Sequence, residues 1–334
     1  MRRFCSVLLC LSFLLGMVSC STANASEPSV EDKYVIGFSQ VGSESDWRLA
    51  NTKSMTSTFA GDDEYELVIE NARQIQENQF SAVRKFILEG VDFIIIAPTV
   101  EEGWQNVLTE VRDANIPVIL LDRSVAVDDD SLYLTNIGSD FSKQGKLAID
   151  WLEKESEFQK NRHPDKDHTV QILHLQGTIG ATAQIQRTKA LEDAINTHSE
   201  WEMVGQLYGD FTEAKAYEVM TDYLKTNKNI DVIYSENDNM TFGAMRALDE
   251  AGITYGTNGQ VKIITFDATK EALQYCLDGK ISLCVECNPM FGPSVKELIE
   301  KYRRGESIPK HVYVDETAYT TYELTQDIVD GREY

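Results

Sequence analysis

Apolar, β-branched runs recur along the chain at near-regular intervals. The first five are YVIGFS (34–39), YELVI (65–69), DFIIIA (92–97), PVILL (117–121) and LYLTNI (132–137). A second series follows: TVQILHL (169–175), EMVGQLY (202–208), IDVIYS (230–235), VKIITF (261–266) and ISLCVE (281–286). Several are apolar nearly throughout, as strands buried on both faces of a parallel sheet must be. Between them lie helix-length segments with apolar residues three and four apart, such as Phe80, Val83, Phe86 and Ile87, with Gly90 as a stop. The pattern is strand and helix in alternation, which predicts right-handed crossovers and open doubly wound sheets rather than a sandwich or bundle. Ten strands exceed one such sheet with a single switch point, so the expected fold is α/β with two similar lobes of five strands each. DDDS (128–131) reads as a loop, and EKESEFQKNRHPDKDH (153–168) as a frayed helix end followed by a solvated loop.

The N-terminus and the charge narrow the setting. Arg2 and Arg3, an apolar stretch from about Phe4 to Val18 and then small residues give the order of an export signal over residues 1–25. Two processing sites compete: Ala23-Asn24-Ala25 suits ordinary signal peptidase, whereas Met17-Val18-Ser19-Cys20 resembles a lipobox that would place a lipid on Cys20. Without the two signal arginines the formal charge of -23 becomes about -25, which repels phosphate backbones and argues against nucleic acid. Beyond the signal only Cys276, Cys284 and Cys287 remain. Cys284-Val285-Glu286-Cys287 has CxxC spacing but lies in a strand-like run, where i and i+3 face opposite sides, so neither redox nor zinc chemistry is expected. A Cys276 to Cys284 bridge and simple burial both stay open.

In open α/β sheets ligands bind beyond the carboxyl ends of the strands. After YVIGFS come Glu44, Trp47 and Arg48; after PVILL, Asp122 and Arg123; after TVQILHL, a loop leading to Arg187; after IDVIYS, Asn237; and after VKIITF, Asp267. Taken singly, Asn237 or Asp267 could be a helix cap, Trp47 a packing residue and Arg187 a solvated cation. Gathered at one edge, they suit a polyhydroxyl ring: carboxylates accept, guanidinium groups donate in a fixed fork, and the amide does both. An indole suits a C–H face. The mixture of signs argues against an anionic ligand.

These residues sit in stretches that resemble bacterial periplasmic sugar-binding proteins of the ribose and galactose type, nearest to those that bind galactofuranose for an ABC importer. The stretches include GFSQVGSESDWR (37–48), IPVILLDRS (116–124), LQGTIGA (175–181), GDFT (209–212), ENDNM (236–240), FDA (266–268) and NPMFGPS (288–294). The resemblance implies two Rossmann-like lobes with parallel sheets joined by three crossovers, the type 1 fold of that family. One lobe would be 33–139 plus 288–313, the other 140–287 plus 314–334. It implies that Glu44, Trp47, Arg48, Asp122 and Arg123 bind a monosaccharide from the first lobe and Arg187, Asn237 and Asp267 from the second. Glu286, at the end of ISLCVE, is a further candidate. It also implies a monomer with no cofactor, held near the membrane by permease docking or by a lipid on Cys20. Phe141, Asp46 and Cys287 depart from the family pattern.

The sequence bears on two other readings. Nucleophile-elbow, Walker A, G-x-G-x-x-G and H-E-x-x-H motifs are all missing from the sequence, which argues against an enzyme. Gln176-Gly177-Thr178-Ile179-Gly180 could cradle a phosphate, but two glycines three apart more often permit close packing. A sensor role, with the closed form docking to a chemoreceptor or sensor kinase, is the alternative to transport.

Overall fold

The computed structural model describes residues 33–162 and 169–334. The export-signal reading, Cys20 and the end of the charged 153–168 segment lie outside these residues.

The first half of the chain runs β1 (Tyr34–Gln40), α1 (Asp46–Phe59), β2 (Tyr65–Asn71), α2 (Gln76–Glu89), β3 (Phe93–Ile96), α3 (Gln105–Asp113), β4 (Val118–Leu121) and β5 (Thr135–Gly138). It continues with α4 (Phe141–Arg162), β6 (Val170–Gln176), α5 (Thr182–Thr197), β7 (Trp201–Tyr208), α6 (Glu213–Leu224), β8 (Val232–Ser235) and α7 (Asp238–Ala251). The last part is β9 (Lys262–Asp267), α8 (Lys270–Leu277), β10 (Leu283–Glu286), α9 (Gly292–Arg303), β11 (His311–Tyr313), β12 (Ala318–Tyr319) and α10 (Gln326–Gly331). All ten expected strands are present. The fifth is shorter than its apolar run, because Asp130–Leu132 close a 3-10 turn capped by the Asp129 side chain before the strand starts.

The strands form two sheets of matching order, β2-β1-β3-β4-β5-β11 and β7-β6-β8-β9-β10-β12. Pairing is parallel throughout except for β12, which runs antiparallel to β10. The central strands are apolar on both faces because helices cover both. Phe93, Ile94, Ile95 and Ile96 are all buried, as are Val118 to Leu121.

Strand order reverses in each sheet where β1 lies between β2 and β3, and where β6 lies between β7 and β8. Such a switch leaves a crevice beyond the carboxyl ends of the strands. The chain passes between the sheets three times: after β5, after β10, and between β11 and β12. Helix α9 returns to pack on α1, whereas α4 packs on α5 and β10. Each lobe is therefore built from discontinuous segments.

The lobes also touch directly. The Glu101 N–H donates to the Gly180 carbonyl at 2.9 Å and the Ser124 N–H to Thr182 Oγ1 at 2.8 Å. Asp46 and Asn239 pair reciprocally, with Asp46 N to Asn239 Oδ1 at 3.1 Å and Asn239 Nδ2 to Asp46 Oδ2 at 2.9 Å. This is a closed conformation.

Cys276, Cys284 and Cys287 are free and buried, so burial rather than a bridge describes them. Desolvation holds the Cys284 and Cys287 thiols well above the usual range, which suits inert packing rather than nucleophilic chemistry.

Candidate functional site

Between the carboxyl ends of the two sheets lies a cleft. Eight of the nine residues singled out from sequence line it: Glu44, Trp47, Arg48, Asp122, Arg123, Arg187, Asn237 and Asp267.

Helix α1 delivers Trp47 and Arg48 because Ser45 caps it, accepting from the Arg48 N–H at 3.2 Å, one turn after β1 ends. Arg48 is buried and holds two carboxylates: Nε donates to Glu44 Oε1 at 3.0 Å and Nη2 to Asp122 Oδ2 at 2.8 Å. Burial alone would lower its pKa, but Asp122 and Glu44 outweigh that and raise it. The second oxygen of Glu44, Oε2, is buried with no hydrogen-bond partner. It lies toward the loop at Gly42, where a Cβ would stand 2.7 Å from it, beside Gln74, whose own Nε2 is likewise buried and unpaired. The Trp47 indole is fixed by its N–H, which donates to the Cys287 carbonyl at 2.6 Å, and Arg48 lies 4.6 Å over the ring.

Asp122 follows β4 at φ 66°, and the Arg123 N–H turns back to the Leu121 carbonyl at 2.8 Å. Gly138 makes this turn feasible, since a Cβ there would stand 2.5 Å from the Asp122 carbonyl oxygen. Arg123 Nη1 donates to the Thr99 carbonyl at 2.8 Å, and its guanidinium lies 5.3 Å from the Phe211 ring centre. Burial, helped by Arg48, pushes its pKa down to about 10, so it stays charged at neutral pH.

The second lobe supplies Arg187 from α5, buried between aromatic rings with Phe266 at 4.6 Å and Phe141 at 5.2 Å. Its Nε and Nη2 donate to Gln144 Oε1 at 3.1 and 2.7 Å, and Nη1 to the Glu236 carbonyl at 2.5 Å. Three of its five N–H groups are thus used. Asn237 is a helix cap as well as a lining residue: Oδ1 accepts from Met240 N at 2.9 Å and Nδ2 donates to the Phe211 carbonyl at 3.2 Å. Asp267 ends β9 at φ 113°, and burial together with Asp238 raises its pKa well above the carboxylate range.

Glu286 is a correction. It lies outside the cleft lining, and its carboxylate is taken by Arg332, the Thr317 N–H, Tyr319 and Tyr334. Strand β10 lies next to β12, and there the C-terminal tail covers the strand end.

Sequence reasoning missed the aromatic walls. Phe211 and Phe141 line the cleft with Ser45, Ala183 and Cys287. Phe211 stands in a strained turn, with Asp210 at φ 54° and Phe211 at φ 58°, and Gly177 makes room for its ring: a Cβ there would lie 2.0 Å from it. The only trace of this in the sequence is GDFT following a strand. The glycine loop is not a phosphate cradle, because the Gly177 N–H is taken by Glu236 Oε2 at 2.7 Å and the Gly180 N–H by Gln184 Oε1 at 3.0 Å.

The cleft thus balances Arg48, Arg123 and Arg187 against Glu44, Asp122 and Asp267, between aromatic faces and two lobes that touch. This is the site of a binding protein for a small, polar solute. Residues 36–290 match the periplasmic binding protein domain, and the chain belongs to that family, whose members bind solutes rather than act as enzymes. It is 39% identical over 300 residues to the galactofuranose-binding protein YtfQ of Escherichia coli, covering 89% of this chain and 90% of that one. Among solved structures it resembles a Mycobacterium smegmatis protein in complex with β-D-fucofuranose, with 38% identity, a TM-score of 0.79, and coverage of 86% of this chain and 91% of that one. It also resembles the periplasmic component of the arabinose ABC transporter of Shewanella sp. ANA-3, bound to α- and β-L-arabinofuranose. There the identity is 36%, the TM-score 0.81, and coverage 90% and 95%.

Proposed function

We propose that this chain binds a monosaccharide in its furanose form, galactofuranose or a near relative, and hands it to the permease of an ABC importer. It acts in the periplasm or cell envelope as a monomer without a cofactor. The lobes 33–139 plus 288–313 and 140–287 plus 314–334 close on the sugar through the three crossovers. The observation that carries this reading is the cleft itself, where three guanidinium groups and three carboxyl groups from both lobes face one space.

Sugar hydroxyls both donate and accept, so they satisfy this mixed set without adding charge. Bonds to charged groups are worth about 1.5–3 kcal/mol each. Five or six of them leave micromolar or tighter binding after immobilisation costs. Trp47, Phe141 and Phe211 offer apolar faces to ring carbons. The relatives named for galactofuranose, fucofuranose and arabinofuranose support a furanose over a pyranose.

Calorimetric titration with galactofuranose, galactose, ribose and arabinose tests this. At least one is expected to bind with a Kd of about 1 µM or below, with galactofuranose tightest. No heat with any of the four would remove the sugar assignment.

A further inference from the structure

Glu316 lies on the third connecting segment, between β11 and β12, outside the cleft lining. Its carboxylate meets the other two segments. Oε1 accepts from Ser139 Oγ, on the first, at 2.5 Å and from the Asn288 N–H, on the second, at 2.9 Å. Oε2 accepts from Gln144 Nε2 at 2.8 Å, and Nε2 also donates to the Glu286 carbonyl at 3.1 Å. The opposite end of the same Gln144 amide, Oε1, receives Nε and Nη2 of Arg187.

The chemistry of this chain of bonds is directional. A primary amide presents donors at one end and an acceptor at the other, and nothing in its shape decides which way it points. An ionised carboxylate accepts only, so Glu316 forces the Gln144 NH2 toward itself and the oxygen toward Arg187. With the amide reversed, donors would face donors at the guanidinium. We propose that Glu316 is a positioning residue that ties the three crossover segments together and, through the direction of the Gln144 amide, presents Arg187 to the cleft. Hinge geometry and ligand contact are then one network. Closure that brings the crossover segments into register also sets the second lobe's guanidinium. The ligand-coupling part rests on the binding role proposed above; the positioning of Arg187 does not.

The test is a swap. Glu316→Gln places an amide opposite an amide, and the Gln144 amide turns to present its oxygen to residue 316. In Glu316→Gln combined with Gln144→Glu, the new carboxylate accepts from both the residue-316 amide and Arg187, which restores the link to Arg187 with donor and acceptor exchanged, while the Glu286 carbonyl loses its donor. A ligand-free readout is the nuclear magnetic resonance signal of the Arg187 Nε–H, assigned by its loss in Arg187→Lys. Slow solvent exchange of that signal is expected in the wild type, exchange at least tenfold faster in Glu316→Gln, and recovery in the swap. Affinity for whichever sugar the wild type binds should follow the same order, falling about tenfold or more in the single variant and recovering in part in the swap. An unchanged Arg187 signal in Glu316→Gln would overturn the proposal, and so would a swap no better than the single change, including one in which neither variant folds. If no sugar binds the wild type, the exchange measurement still decides the positioning role.

Discussion

Asp122 shows how much of the cleft's chemistry rests on single side chains. It holds a left-handed backbone at φ 66°, which costs a non-glycine residue on the order of 1–3 kcal/mol, and the close approach to Gly138 keeps it there. In return its carboxylate stands between two buried guanidinium groups, 2.8 Å from Arg48 and 3.8 Å from Arg123. Asp122→Ala removes the acceptor of Arg48, the counter-charge of Arg123 and, on the proposed function, an acceptor for a sugar hydroxyl. The expected loss is about 2 kcal/mol of binding or more, some thirtyfold in Kd. Titration with the sugar that binds the wild type checks it, and an unaltered Kd would take Asp122 out of the site. The residue scale is also where the sequence was most legible. Glu44, Trp47, Arg48, Asp122, Arg123, Arg187, Asn237 and Asp267 could be named because each follows an apolar run and carries a group that such an edge seldom collects. Phe211 could not, since an aromatic residue after a strand is far more often core than wall, and its exposure to the cleft depends on two consecutive positive φ angles.

At the scale of elements, the alternation of runs located ten strands because burial on both faces leaves each nearly all apolar. Strands β11 and β12 were missed because they have three and two residues, are only partly buried or exposed, and carry no run. Glu286 was misassigned for a related reason. The strand-end rule holds where a crevice lies beyond the strand, whereas β10 is covered by the chain's own C-terminus through Arg332 and Tyr334. Two helix starts make a contact that sequence alone could not pair. Asp46 opens α1, Asn239 lies in the first turn of α7, and their reciprocal bonds at 3.1 and 2.9 Å join the lobes. Both bonds require closure, so they favour the closed state without touching the cleft lining that contains neither residue. Asn239→Ala, which removes both bonds, should leave association nearly unchanged and speed sugar release about tenfold, as expected for about 1.4 kcal/mol of lost closed-state stability. Stopped-flow dissociation measures this, and a wild-type release rate would show that the pair does not bias closure.

For the whole molecule, the cleft is a stability cost as well as a binding device. Asp267 and Asp238 are neighbouring buried carboxylates: desolvation pushes Asp238 up to about 7, and burial with Asp238 and Asp122 nearby raises Asp267 well above the ordinary carboxylate range. When a carboxyl group has a higher pKa folded than unfolded, the folded state takes up a proton that the unfolded chain leaves free, so stability rises as pH falls through the folded value. The rise ends near 3.8, the ordinary aspartate value. Carboxylates held low have the opposite sign. Asp62, for which the Lys296 hydrogen bond is the leading cause, loses its contribution only as pH falls below the ordinary range. Between about pH 7 and pH 5, therefore, the melting temperature of the ligand-free protein should increase on acidification. Self-repulsion among the chain's excess acids adds to the same trend. Asp267→Asn separates the two contributions, because it removes the buried charge while retaining an oxygen that can accept from the Asp238 N–H. The variant is expected to melt above the wild type at pH 8, by a margin that narrows toward pH 5, and to bind sugar more weakly at both. Calorimetric melting across that range provides the check, and equal slopes for variant and wild type would assign the whole trend to surface charge. A destabilising carboxylate retained at the mouth of β9 is the pattern expected when a site is shaped for its ligand at the expense of the empty fold.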